Sequence, residues 1–226
     1  ALSFQGMILG KIANEIYILM SQSINEISEK QTKGQVGSST MPHKVNPVII
    51  LQVIEEAAIL RGKASTTIEA GMPLHEGDLR YNKIVDNLIK DSTVLSLKLS
   101  QKFNSMLNNL LINSKQMQRN LLNEKDYIAS ENLMYKLGKY LGRQEAHDLI
   151  HLIIKKSVKN NLSAKEQFLN DPVISKYFTT ADVENILNPL KYIGESKKIS
   201  LKMSKFGIKK ATEIHARSTS KNLLIR

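Results

Sequence analysis

The chain has 226 residues, 42% of them hydrophobic, which is enough to bury a real core and too apolar for a disordered chain. It has no cysteine, which excludes a disulfide framework and thiolate metal ligands and suits a reducing cytoplasm. Its formal charge is +11, but residues 197–226 hold +8 of it and the other 196 residues only +3, so the charge marks the end of the chain rather than its body.

The chain opens with "ALSFQGMILGKIANEIYILM", without an initiator Met and without the basic start or cleavage pattern of a signal peptide. It begins at helical spacing, so it reads as a fragment. Ile8, Ile12, Ile16, Leu19 and Met20 predict a helix over about residues 4–27. A polar stretch, "VGSSTMPHKVNP" at 36–47, then interrupts the apolar pattern. With Asn46 as N-cap and Pro47 in the first turn, a second helix starts. It is apolar nearly all round (Val48, Ile50, Leu51, Val53, Ile54, Ala57, Ala58), which predicts burial among other helices. "GMPLHEGD" at 71–78 breaks the pattern. A third helix is predicted over about 84–111, with Leu88, Val94, Leu95, Leu99, Phe103, Met106 and Leu110 on its apolar positions.

From Asn113 the elements shorten. "NSKQMQRNLL", "SENLMYKLGKYL", "RQEAHDLIHLIIKKSV" and "TTADVENIL" predict helices of two to four turns, with Ser130, Ser163 and Thr180 as caps and Gly138 and Gly142 as breaks. Nothing reads as a period-2 strand, and no run is long enough to span a membrane. The fold class expected is all-α: a long-helix bundle segment over 1–112 with a loop at 34–47, a small helical domain over 113–196, and a basic tail over 197–226. That tail could bind polyanions, but no aromatic platform or base-reading motif accompanies it. It reads as solvated, and nucleic acid is not an expected partner.

The loop carries the chemistry. A loop that delivers into a helix N-terminus sets backbone N–H groups and a positive dipole end beside whatever lies there. Gly37 lets the backbone approach closely, Lys44 adds a full charge and Asn46 an amide donor, a set that suits a carboxylate. Ser38, Ser39 and Thr40 place hydroxyls in the same field, where an alkoxide is stabilised.

These residues resemble the signature loop of the fumarase/aspartase superfamily, GSSxMPxKxNP. Gly37, Ser38, Ser39, Met41, Pro42, Lys44, Asn46 and Pro47 match every fixed position. His43 makes the stretch most similar to the branch that holds adenylosuccinate lyase and 3-carboxy-cis,cis-muconate cycloisomerase. "LRG" at 60–62, "HEGD" at 75–78, "LGRQEAHDLI" at 141–150 and "LNPLKYIG" at 187–194 extend the resemblance to about residue 195. It implies β-elimination from a succinyl-type dicarboxylate with release of fumarate, without metal or organic cofactor, in a homotetramer assembled through the long helices. It further implies that Ser38 is the general base on a mobile lid and that Ser39, Lys44 and Asn46 hold the substrate carboxylate; Arg80, which matches no family position, is near enough to the 75–78 stretch to reach an anionic group. The alternatives are the cycloisomerase and a non-catalytic relative.

Three departures accompany the match. The family's glutamate five positions beyond the loop asparagine is Leu51 here, with Glu55 one turn further on the same side. The branch reads His-Glu-Arg-Asp where this chain reads His75-Glu76-Gly77-Asp78. The two upstream motifs with the family's catalytic histidines find no match, so the fragment alone is expected to be inactive. His75 reads as a partly exposed loop residue. His147 and His151, four apart on one helix, lack a carboxylate at zinc spacing and are not expected to bind metal.

Overall fold

Three long helices dominate the first half of the chain. In the computed structural model, which describes residues 1–30, 46–123 and 125–222, they are α1 (Leu2–Leu19), α2 (Val48–Glu69) and α3 (Leu79–Asn108). They belong to the first of two units, residues 1–120 and 121–226. Helix α1 turns Gly6, Gly10, Ala13 and Ile16 inward, and α2 answers with Ile50, Val53, Ala57 and Leu60. Small residues on one side let the two backbones approach. A Cβ at Gly6 would lie 2.9 Å from the Ala57 carbonyl oxygen. Arg61 fills the remaining space and donates from Nη1 to the Gly6 carbonyl at 3.1 Å. Helix α3 adds Ser92, Leu99 and Met106, each seven residues from the last, which is the spacing of a helix–helix seam. Gln5 is tied to α3, donating to Ser100 Oγ at 2.6 Å and accepting from Ser96 Oγ.

The helix ends differ from those predicted. Helix α1 stops at Leu19, about eight residues early, and α3 runs Leu79–Asn108 rather than over 84–111. Beyond them lie two three-residue strands, β1 (Ile27–Glu29) and β2 (Leu110–Ile112), paired antiparallel with Ile27 opposite Ile112. The expectation of no strand is therefore corrected, although the fold remains all-α. Ser21, Ser23 and Asn25 are turn formers, and Asn25 takes a left-handed φ of 51° that a helix cannot continue through. Strands of three residues are too short to leave an alternating pattern.

Helix α2 is also less buried than its composition predicts. Val48, Leu51 and Ile59 remain exposed, as do Ile8 and Ile12 on α1 and Val94 and Leu97 on α3. These helices cover one another on one side, and apolar residues remain on the other.

The second unit is built from short helices around Phe168. They are α5 (Lys125–Ile128), α6 (Ser130–Leu141), α7 (Arg143–Asn160), α8 (Ala164–Asn170) and α9 (Thr180–Ile186), preceded by α4 (Ser114–Asn123), which crosses from the first unit. Leu133, Leu137, Ala146, Ile150, Ile153, Ile174, Val183 and Ile186 join Phe168 in one buried cluster. Gly142, with φ of 86°, makes the turn from α6 to α7, whereas Gly138 lies inside α6 and breaks nothing. Ser163 caps α8 as predicted. The cap of α9 is Thr179 rather than Thr180, and α6 has no side-chain cap, because Ser130 Oγ donates back to the Tyr127 carbonyl at 2.6 Å. The basic tail is helical. Residues Ser196–Asn222 form one helix, α10, whose described side chains are almost all exposed. No helix among the described residues is long and apolar enough to cross a membrane.

Candidate active site

Two ends of α2 carry the candidate chemistry. At its start, Asn46 is exposed and Pro47 is the N-cap, so the helix begins at Val48, one residue later than predicted. Pro47 has no side-chain acceptor to offer the first N–H groups. Glu29 of β1 supplies one instead: its Oε1 accepts from the Ile50 N–H at 3.0 Å. The expectation of a helix N-terminus left open to an incoming anion is thus corrected at its third N–H, which a carboxylate of the chain itself already holds. Glu29 went unnoticed in the sequence because it is 21 residues from Ile50 and lies in no motif. Ser38, Ser39 and Lys44 lie outside the described residues.

One turn into α2, Leu51 is exposed where the resembling family places a glutamate, and Glu55 is exposed on the next turn. The packed carboxylate on this helix is Glu56, which meets Lys102 of α3 at 2.6 Å. Helix α2 therefore presents Leu51 and Glu55 outward and spends Glu56 on holding the helices together.

At the far end of α2, residues 70–78 turn the chain into α3. Exposed His75 accepts at its carbonyl from the Asp78 N–H at 3.4 Å, and Gly77 takes a φ of 71° that favours glycine. Asp78 caps α3, accepting from the Arg80 N–H at 3.1 Å, and grips the same residue's guanidinium at 3.0 Å from Nε and 2.7 Å from Nη2. That fork-to-fork pairing holds the Asp78 carboxyl below the ordinary carboxylate range and raises the Arg80 guanidinium. Arg80 thus already has a local anionic partner.

These two ends cannot meet on one copy. The 22 residues of α2 separate them, and at about 1.5 Å per residue that is roughly 33 Å. The structure brings Glu29 to the start of α2, which Asn46 precedes by two residues, and sets Arg80 beside Asp78 after the His75–Gly77 turn, but it does not bring Asn46 to Arg80. In the second unit the His147 and His151 rings lie parallel, 6.1 Å apart, and His147 Nδ1 lies 3.1 Å from Asp148 Oδ1. Among the described residues no group of three or more His, Asp or Glu could hold a metal ion.

Comparison with known proteins agrees with this architecture. Residues 1–62 match the lyase family model, and residues 126–202 match the adenylosuccinate lyase C-terminus model. The chain is 34% identical over 189 residues to N-acetyl-S-(2-succino)cysteine lyase of Dickeya dadantii, covering 83% of this chain and 41% of that protein. It is 30% identical to adenylosuccinate lyase of Aquifex aeolicus, covering 82% of this chain and 43% of that one. The chain thus spans less than half the length of these curated relatives. Among solved structures, 3-carboxy-cis,cis-muconate lactonizing enzyme from Pseudomonas putida superposes with a TM-score of 0.73 at 26% identity, covering 86% of this chain and 43% of that one. Fumarate lyase from Mesorhizobium sp. BNC1 shares the fold at 22% identity, with a TM-score of 0.74 and coverage of 86% and 42%. Two family models matching separate parts of the chain, and an all-helical fold shared with these structures, place the protein in the fumarase/aspartase superfamily of lyases.

Proposed function

We propose that the complete gene product is a lyase that eliminates across a C–C bond of a succinyl-type substrate and releases fumarate. The observation that carries this is the unbroken match of Gly37, Ser38, Ser39, Met41, Pro42, Lys44, Asn46 and Pro47, which leads directly into the start of α2. The hard step is removal of a proton from the carbon beside a carboxylate. The electron pair left behind spreads into that carboxylate, and the dianionic form needs electrostatic support. Ser38 Oγ takes the proton, and Lys44, Asn46 and Ser39 hold the carboxylate. As the C–X bond breaks, the pair forms the C=C bond of fumarate and X departs as an amine, thiol or hydroxyl once protonated. Loop closure over the substrate excludes water from this step.

The site is composite in this reading. Because Asn46 and Arg80 lie at opposite ends of α2, a substrate that touches both must lie between copies. A homotetramer assembled through α1, α2 and α3 supplies that arrangement and covers the exposed Ile8, Ile12, Val94 and Leu97. The described chain by itself is then inactive. A second reading, the cycloisomerase, is favoured by the superposition on the Pseudomonas putida enzyme. A third, a non-catalytic relative, is favoured by Leu51.

The test is fumarate release by the complete gene product from adenylosuccinate, argininosuccinate, N-acetyl-S-(2-succino)cysteine and aspartate, alongside loss of 3-carboxymuconate. Ser38→Ala is expected to lower kcat by about 10²–10⁴-fold while sedimentation shows the assembly unchanged. Wild-type turnover by Ser38→Ala would remove the base assignment. A well-folded assembly that turns over none of these compounds would favour the non-catalytic relative, and Leu51→Glu would be the next variant.

A further inference from the structure

We infer that the leaving group of the substrate carries no phosphate, so that the succinyl group rides on a small amine or thiol rather than on a nucleotide. This rests on the elimination proposed above and on the 75–80 turn of one copy facing the substrate bound by another. Proteins hold a phosphate dianion with unpaired Arg or Lys charge and with the N–H groups of a helix N-terminus. The turn has both devices, and one carboxylate engages the guanidinium and one of the first N–H groups of α3. Asp78 accepts from the Arg80 N–H at the start of α3 at 3.1 Å and from the Arg80 guanidinium at 3.0 and 2.7 Å.

Within residues 75–80 no second basic side chain adds charge; the next, exposed Lys83, lies further into α3. Gly77, where the resembling branch has arginine, offers no side chain, and its φ of 71° disfavours one. Exposed Glu76 adds a second negative charge, so residues 75–80 carry −1 with His75 neutral. The start of α2 is likewise served from within, by Glu29 on the Ile50 N–H at 3.0 Å. A phosphoryl group arriving at the 75–80 turn would have to pull Arg80 away from Asp78 or lie beside two carboxylates. A neutral or singly charged group meets neither cost. The Arg80 side chain is 69% exposed while that of Asp78 is 8% exposed, so the outer N–H groups of Arg80 remain able to meet one carboxylate.

The experiment compares kcat/KM of the complete gene product for adenylosuccinate and for N-acetyl-S-(2-succino)cysteine, a phosphate-free thioether. The expected result is a preference of about 100-fold or more for the thioether. Preference for adenylosuccinate would overturn the inference and leave the elimination standing. Release of fumarate from neither compound, nor from argininosuccinate or aspartate, would overturn both. Asp78→Asn leaves Arg80 with uncompensated charge, and the ratio is expected to shift toward adenylosuccinate by about tenfold. An unchanged ratio in a folded Asp78→Asn protein would overturn the role given to Asp78, and if that variant does not fold, the wild-type comparison still decides.

Discussion

The two units solve the same packing problem in opposite ways. Between Leu133 and Leu187, short helices bend around Phe168 and bury eleven hydrophobic side chains in one cluster. Among the described residues of the first unit nine are clustered, spread from Ala13 to Met106 along helices of up to 30 residues that cover each other on one side. A long straight helix cannot wrap a core by itself, so its outer apolar residues need a further layer. The second unit gathers its core around one residue, and the first leaves apolar residues exposed along its long helices.

Removing the centre of the second unit gives the largest expected effect. Phe168 is fully buried, and Phe168→Ala is expected to cost about 3–5 kcal/mol. Hydrogen exchange should show protection lost over α6 to α9 and retained over α1 to α3. Equal loss in both units would break the comparison, because it would mean that they unfold as one.

The first unit is sensitive where backbones touch. Gly6→Ala places a methyl 2.9 Å from the Ala57 carbonyl oxygen, which cannot move without shifting α2. The strain is expected to cost about 1–3 kcal/mol, only partly offset by the roughly 1 kcal/mol that alanine gains over glycine in a helix. At Gly10 the nearest atom is Arg61 Nη1 at 2.5 Å, the end of a flexible side chain. Gly10→Ala should come out near neutral, with the lost Arg61 bond to the Gly6 carbonyl balancing the helix gain. Thermal melts of the two variants rank them, and the reverse order would place the tight contact elsewhere.

What the sequence made legible follows the range of the interactions. Helix existence depends on periodicity within one element, and every predicted helix is present. The ends of α1 and α3 depend on the pairing of Ile27–Glu29 with Leu110–Ile112, about 80 residues away, and no local pattern announces it. The GSSxMPxKxNP match is readable because it consists of residue identities alone. Glu29 on Ile50 is not, because the contact exists only once β1 has docked beside α2. Position alone marks Arg80 as able to reach an anionic group; the grip of Asp78 two residues earlier is a matter of side-chain geometry that spacing does not encode. The exposure of α2 escaped for a similar reason, since composition predicts what a helix should bury and not whether the partner lies in the same chain.

The smallest expected effect is a pH dependence in the second unit. Thr179 and Asp182 form a reciprocal cap at the start of α9: Thr179 donates from its N–H at 3.0 Å and its hydroxyl at 2.6 Å to the Asp182 carboxylate, and the Asp182 N–H donates back to Thr179 Oγ1 at 3.2 Å. Those bonds to Thr179 stabilise the ionised carboxylate and lower its pKa below 3.8 in the folded protein. Between the folded and unfolded values the unfolded chain binds more protons, so stability falls as pH falls. The contribution is fully present above 3.8 and disappears as the pH drops through the lower folded value. Asp182→Asn removes the titrating charge. Melting of the second unit should therefore favour the wild type at neutral pH, and the gap should close in acid. A gap that stays constant with pH would mean that the cap acts through its hydrogen-bond geometry alone. The charge on Asp182 would then add nothing to what holds α9 against Phe168.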